Sequence, residues 1–410
     1  MDKRNRLPIT TFDIATQKIR RGYYSAVYFW REKQILEKIG YTNKVLMQVF
    51  QKNNIVLCGV DEAIAILKTC SGFWGAPEKA YKLFDQYQAL DQEIRRLYVQ
   101  RKYQLLKEKL IQKVDLELVL DSLWMDGSAQ LVIEALHDGD RVEPWETMMT
   151  IDGLAQYFAH LESVYLGILA RRTLVATNVA RVVEAAQGKP ILFFADRFDH
   201  YSNQTGDGYA AMMAGATSVA TDDMGEWWGK KGIGTMPHAL IACFNGDTVE
   251  ASLEFAKQYP DIPCISLVDF DNDCSKTALD VADRFAAEGL TLYGVRLDTS
   301  EAMVDESIIR YDQLGQEKPT GVTPTLARNV RQILDAHGYN DVKIFVSGGF
   351  SKEKIEWFER VKAPVDGYGC GSSLLKGSND FTADIVLVRG RPCSKKGRLY
   401  RPNPRLEKVD

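Results

Sequence analysis

The sequence predicts an α/β protein of two domains, the second of them a β/α barrel. Three observations carry this. From about Phe158 onward, short apolar runs alternate with helical stretches, a rhythm that builds a parallel sheet. The number of such units argues for a closed or nearly closed barrel, with an open doubly wound sheet as the competing architecture. A chain of 410 residues is also more than one core usually organises, so two domains are expected.

Taken in order, residues 1 to about 75 mix short helical and strand-like patches, among them Ala26-Val27-Tyr28-Phe29-Trp30. A Gly-free stretch then runs from Pro77 to about Gln112. Within it Leu83, Tyr87, Leu90, Ile94 and Leu97 recur at three- and four-residue spacing, which predicts one long helix. Such a stripe serves as core or as a partner-helix face. Residues 118–152 read as strands with turns at Asp126-Gly127 and Asp138-Gly139. A helix over 158–186 then leads into strands at 190–195, 217–220, 239–243, 263–268, 291–297, 342–347 and 365–369. Helices are expected at 248–257, 275–288, 324–337 and 351–360.

Composition narrows the function classes. With 45% hydrophobic and 26% charged residues the chain is neither disordered nor low in complexity. A net charge of −4 offers no broad basic field, so nucleic acid is not expected as a partner. The longest apolar runs, such as 190–195, are too short to span a bilayer, and no membrane association is expected. The charged start MDKRNRLPITTFD leads into no apolar stretch, so no secretory signal is expected. Seven scattered cysteines without a CxxC pair predict reduced thiols and a cytoplasmic setting.

The loops after the strands carry the chemistry. In a βα barrel these loops open on one face, where active sites lie. Here they read Asp196-Arg197, Asp222-Asp223, Asp269 to Asp273, Arg296-Leu297-Asp298-Thr299, Ser347-Gly348-Gly349 and Gly369-Cys370-Gly371-Ser372-Ser373. Any one acid could be an N-cap and any one glycine a turn former. Six such loops in phase predict a site. The last two, each expected to open a helix, predict a phosphate held by backbone N–H groups. Asp269 and Asp298 beside it would suit Mg²⁺ bridging a pyrophosphate. Asp271 and Asp273 read as solvated loop charges. Of five histidines, His238 stands out, in a Gly-rich loop directly before the strand expected at 239–243. It is a candidate nucleophile or general acid/base. His200 is the weaker candidate.

GTMPHAL at 234–240, RLDTS at 296–300, VSGGF at 346–350 and YGCGSSL at 368–374 resemble, in order and spacing, the nicotinate phosphoribosyltransferase family. The tail DIVLVRGRP with KKGR at 384–398 resembles it too. The resemblance implies the type II phosphoribosyltransferase fold, an N-terminal α/β domain packed on an irregular β/α barrel. The expected divisions are 1–150, 151–380, and 381–410 packing back on the N-terminal domain. It implies a homodimer that transfers phosphoribose from phosphoribosyl pyrophosphate to nicotinate, with Mg²⁺ as cofactor and ATP as co-substrate. His238 matches the family's phosphorylated histidine. The implied catalytic set is His238, Asp269, Arg296 and Asp298, with Asp269 and Asp298 on the metal. Phe194 and Tyr28 would face the ring, Tyr28 from the other subunit, and Arg197 would hold its carboxylate. Thr235, Ser347, Gly348, Gly349, Gly369, Gly371 and Ser372 complete the expected substrate contacts. Glu162 and Arg172 read as structural.

The chain also departs from the family pattern. Phe198 stands where a second arginine is usual, Asp196 stands beside Arg197, and Ala26 replaces an aspartate before Val27-Tyr28-Phe29. Residues 222–231 look inserted. The choice between nicotinate and nicotinamide therefore stays open at this point. So do a different phosphosugar barrel enzyme, such as an isomerase or aldolase, and a non-catalytic homologue. No lysine stands at a strand end for Schiff-base chemistry, which disfavours the aldolase.

Overall fold

One helix, Glu162–Ala185, carries the chain from one folding unit into the next. The computed structural model describes residues 5–234, 236–315 and 318–410. The first unit comprises the chain up to Thr173 together with Asn379–Asp410, and the second is Leu174–Ser378. The boundary expected at 150/151 thus falls inside a strand, Met149–Leu154.

In the first unit an antiparallel sheet runs in the order Arg391–Pro392, Phe381–Val388, Lys44–Gln51, Met149–Leu154, Val132–Ala135, Glu407–Lys408. Its central strand pairs Gln51 with Phe381 on one side and Met47 with Ile151 on the other. Val45, Met47 and Val49 from this strand enter a core with Leu57, Ile64, Leu67, Ile133, Ile151 and Phe158. The i, i+2 spacing puts those three on one face of the strand, and Gln48 and Phe50 on the other face are buried too.

The single helix expected over 77–112 is instead two, Pro77–Val99 and Tyr103–Leu123. Arg101 turns the chain at φ +54°. Ion pairs Lys109–Glu93 at 3.2 Å and Lys113–Asp91 at 2.5 Å join the two antiparallel arms. The turn Gln100-Arg101-Lys102 holds neither Gly nor Pro, only good helix formers, so periodicity gave no break there. The second arm also makes 118–123 helical rather than strand.

In the second unit lie strands β1 (Ile191–Phe193), β2 (Ser218–Val219), β3 (Ile265–Leu267), β4 (Gly294–Leu297), β5 (Lys343–Val346) and β6 (Gly367–Cys370). They form one curled sheet in the order β3-β4-β5-β6-β1-β2, and every pair is parallel. Among the described residues no ladder joins β2 to β3. The strand expected at 239–243 would have lain between them, but His238–Cys243 is a helix. A five-residue apolar run fits either state, and periodicity alone does not choose. The other strands and the helices Thr248–Gln258, Cys274–Ala287, Pro324–Ala336 and Lys352–Arg360 stand where the alternation placed them. Side chains of Asp247, Asp273, Thr323 and Ser351 cap those helices in turn. After β6, by contrast, there is only a four-residue 3₁₀ turn, Ser372–Leu375, where a helix was expected. No helix among the described residues is long and apolar enough to cross a membrane.

Candidate active site

The carboxyl ends of β1, β2, β4, β5 and β6 open onto one cavity of about 550 Å³ within the second unit. This is the edge of a parallel sheet where loops converge and ligands bind.

Strand β4 shows how the sequence builds it. Val295 and Leu297 are fully buried, and the alternate positions Arg296 and Asp298 line the cavity. The Arg296 guanidinium lies 5.5 Å from the Phe194 ring centroid. Its Nε is buried and has no hydrogen-bond partner among the described residues. Burial pushes its pKa down and Arg197 adds to this, while Asp298 and Asp269 act against it. Arg296 is thus a desolvated cation with free donors facing a cavity, an arrangement that an anion would stabilise.

At the end of β5, the Ser347 hydroxyl donates to Asp298 Oδ1 at 2.8 Å. Gly348 and Gly349 come next at φ +86° and +67°, the left-handed region where a side chain is strained. A Cβ on Gly349 would sit 2.2 Å from Glu301 Oε1. At the end of β6, a Cβ on Gly369 would meet the Phe194 ring at 2.7 Å, and one on Gly371 the Phe198 ring at 2.7 Å. These two glycines make room for aromatic rings. The Ser373 hydroxyl donates to the Phe350 carbonyl at 2.6 Å and ties the two loops together.

His238 is the first residue of its helix, not a loop residue before a strand. Its Nε2 lies 3.0 Å from Asp269 Oδ2, with the imidazole 42% exposed and the carboxylate 7%. That hydrogen bond is the main reason the His238 pKa is raised, with burial opposing it and Asp298 assisting. A carboxylate only accepts, so Nε2 carries the proton and the neutral ring keeps its lone pair on Nδ1. The other Asp269 oxygen, Oδ1, is buried without a partner among the described residues.

Of the residues expected from sequence, Phe194, Arg197, His238, Arg296, Asp298, Ser347, Gly348, Gly349, Gly369, Gly371 and Ser372 line this cavity. Asp269 joins it through His238. Thr235 lies outside the described residues. Tyr28 belongs to the first unit, is 66% exposed on helix Val27–Lys38 and does not line the cavity. Asp273 caps a helix and pairs with Arg310, and His200 Nδ1 bonds Ser202 Oγ at 2.8 Å. Asp222 accepts from the Gly232 N–H at 2.9 Å. Arg172 pairs with Glu62 at 3.0 Å in the first unit. All four roles are structural.

Sequence reading missed Lys354. Its ammonium donates to the Gly348 carbonyl at 3.0 Å and lies 4.4 Å from the Phe350 ring centroid, so it braces the SGGF loop. Burial pushes its pKa down. A lysine in the first turn of a helix, where the dipole disfavours a cation, was the available signal. Among the described residues no three His, Cys, Asp or Glu side chains converge as a metal cage.

No family model matches the chain. A nicotinate phosphoribosyltransferase of Mycobacterium tuberculosis is 28% identical over 281 residues, 66% of this chain and 57% of the relative. One of Bacillus subtilis is 24% identical over 242 residues, 59% and 45% respectively. The chain therefore spans about half the length of the curated relatives it matches. A nicotinate-nucleotide pyrophosphorylase structure from Pyrococcus furiosus is 28% identical, covers 97% of this chain and 85% of its own, and has a TM-score of 0.69. Human nicotinic acid phosphoribosyltransferase, at 16% identity, covers 90% of this chain and 75% of its own with a TM-score of 0.61, a likeness of fold. With four motifs in order and this fold around them, the chain is similar to the nicotinate phosphoribosyltransferases.

Proposed function

We propose that the chain transfers phosphoribose from phosphoribosyl pyrophosphate to the ring nitrogen of nicotinate, giving nicotinate mononucleotide and pyrophosphate in NAD salvage. The observation that carries this reading is the partnerless Arg296 stacked on Phe194 beside the His238–Asp269 pair. Breaking the bond from C1 to pyrophosphate develops positive charge on the ribose and negative charge on the leaving group. Arg296, held desolvated, stabilises that negative charge more strongly than a hydrated cation would. Asp298, fixed by the Ser347 hydroxyl, offers its remaining oxygen to the ribose hydroxyls. Phe194 gives the pyridine a flat face, and Arg197 gives its carboxylate a fork of donors. Backbone N–H groups of the Gly348-Gly349 turn, and of Gly371 just beyond the end of β6, would take the 5′-phosphate. A homodimer in which Tyr28 of a second copy covers the other ring face is part of the same proposal.

Asp269 Oδ1 and the Asp298 carboxylate fit Mg²⁺, which commonly takes one or two carboxylates and completes its shell with substrate oxygens and water. When bound, Mg²⁺ would supply charge neutralisation at the pyrophosphate. ATP coupling would run through His238. Its Nδ1 lone pair forms the N–P bond to the γ-phosphorus while the bond from that phosphorus to the ADP oxygen breaks. Asp269 then stabilises the remaining Nε2–H.

The test is pyrophosphate release from phosphoribosyl pyrophosphate and Mg²⁺ with nicotinate or nicotinamide, with and without ATP. The expected outcome is turnover with nicotinate that ATP accelerates and that His238→Ala removes. Turnover with nicotinamide alone would show that Asp196, which also lines the cavity, outweighs Arg197 in reading the ring substituent. No turnover with either base would overturn the proposal and leave a binding role.

A further inference from the structure

Two opposite charges stand against the Gly348-Gly349 turn from outside the cavity lining. Gly348, Gly349 and Phe350 line the cavity, whereas Lys354 and Glu301 do not. The Lys354 ammonium donates to the Gly348 carbonyl at 3.0 Å, and that carbonyl accepts from no other group among the described residues. The Glu301 carboxylate occupies the place that a Cβ on Gly349 would take. It makes no hydrogen bond or ion pair among the described residues, yet it is held there. Gly321, at φ +76°, packs against the Glu301 backbone, and Val304 bridges Thr320 beside it. Burial pushes the Lys354 pKa down and Glu301 opposes the shift, so the two charges feel each other without pairing.

The peptide joining the two glycines is trans, so its C=O and N–H point in opposite directions. With the carbonyl drawn to Lys354, the Gly349 N–H points the other way, toward the cavity that both glycines line. No backbone carbonyl among the described residues accepts that N–H. The glycines themselves do not fix this choice. Without a Cβ, each tolerates φ of either sign, so the peptide between them can turn over. Turned over, it shows the cavity a carbonyl, which repels an anion, and shows Glu301 an N–H. We propose that Lys354 is a positioning residue, which keeps the Gly349 N–H aimed into the cavity, and that Glu301 is the acceptor for the same N–H in the turned-over peptide. Lys354 thereby decides whether the turn takes a phosphate monoester. The inference rests on the reading of this turn as the 5′-phosphate site.

The test is equilibrium binding of ribose 5-phosphate to the full chain by titration calorimetry, which does not depend on turnover. Lys354→Met removes the donor at similar length and should weaken binding about 10–100-fold, the worth of a hydrogen bond to a charged group. Glu301→Ala should change the wild-type affinity by less than about threefold, but in the Lys354→Met background it should restore about tenfold. Charges acting on the phosphate only through space would sum, and Glu301→Ala would then strengthen binding by the same factor in both backgrounds. Coupling between the two substitutions is the mark of an orientation that one holds and the other competes for. Recovery in the double variant also separates the effect from misfolding. Lys354→Leu, likewise without a donor, should behave alike and serves if Lys354→Met does not fold. Equal factors in the two backgrounds, or an unchanged affinity in Lys354→Met, would overturn the proposal and leave the phosphate site standing. A wild type that does not bind ribose 5-phosphate would overturn the reading of the turn, and the proposal with it.

Discussion

Each unit buries a strong cation, and the two are treated oppositely. In the first, Lys33 is wholly buried, and burial pushes its pKa down to about 8 against the pull of Glu37. Its ammonium donates to the carbonyls of Gly72 and Gln156, each at 2.6 Å, and pairs with Glu37 at 2.8 Å. Glu37 also accepts from the Trp74 backbone N–H and the Tyr81 hydroxyl. All three ammonium donors are used, and nothing remains for a ligand. In the second unit, Arg296 keeps a buried, unpartnered Nε beside a cavity, and Asp269 keeps an unpartnered oxygen. Burial is common to both. What separates a structural charge from one that works on a ligand is whether its hydrogen bonds close within the protein.

The comparison predicts a clean exchange of phenotypes. The largest effect belongs to Lys33→Met, which leaves the Glu37 carboxylate buried without its cation. It should lower stability by about 3–5 kcal/mol, as loss of one partner of a buried pair does. The fraction that stays folded should keep its turnover. Calorimetry beside activity per folded molecule checks both halves, and a stable but inactive Lys33→Met would break the comparison. Arg296→Ala is the converse. Loss of a preorganised, desolvated donor should cost about 10²–10³-fold in kcat/KM. The melting temperature should change little, because relief of a desolvated cation offsets the loss of its attraction to Asp298 and Asp269. A variant that unfolds instead would show Arg296 to be structural like Lys33.

This contrast also sets what was legible in the sequence. Strand alternation and the polar loops after each strand marked the cavity, because both arise locally, from residues a few positions apart. The Lys33–Glu37 pair was invisible. An i, i+4 Lys and Glu on a helix ordinarily reads as a solvated surface pair, and only tertiary packing against Gly72 and Gln156 makes it core. The same limit applies to the turn at Gln100-Arg101-Lys102, whose residues favour helix, and to His238–Cys243, whose apolar run fits either state. Gly369 and Gly371 were read as a phosphate loop. Their nearest neighbours are the rings of Phe194 and Phe198, which lie about 170 residues away in sequence, a close approach no local pattern records.

Glu162 tests the rule from the other side, because in the first unit it is an acid among acids. Burial pushes its pKa up to about 8, and Glu32 and Asp384 add to the shift. Burial raises the pKa of Glu32 too, and Asp384 is paired with Arg398 at 3.1 Å, which leaves Glu162 to hold the proton. The native chain then binds a proton that the unfolded chain releases near pH 4.5. Stability therefore falls as pH rises from about 4.5 to about 8 and levels off above that. Glu162→Gln, neutral throughout, should match the wild type near pH 4 and exceed it above pH 8. With partial exposure discounted, the gain should be roughly 1–3 kcal/mol. The check is the difference in unfolding free energy between the two proteins, measured from pH 4 to 9. A difference that stayed flat across that range would mean that Glu162, like Lys33, has its charge satisfied within the fold.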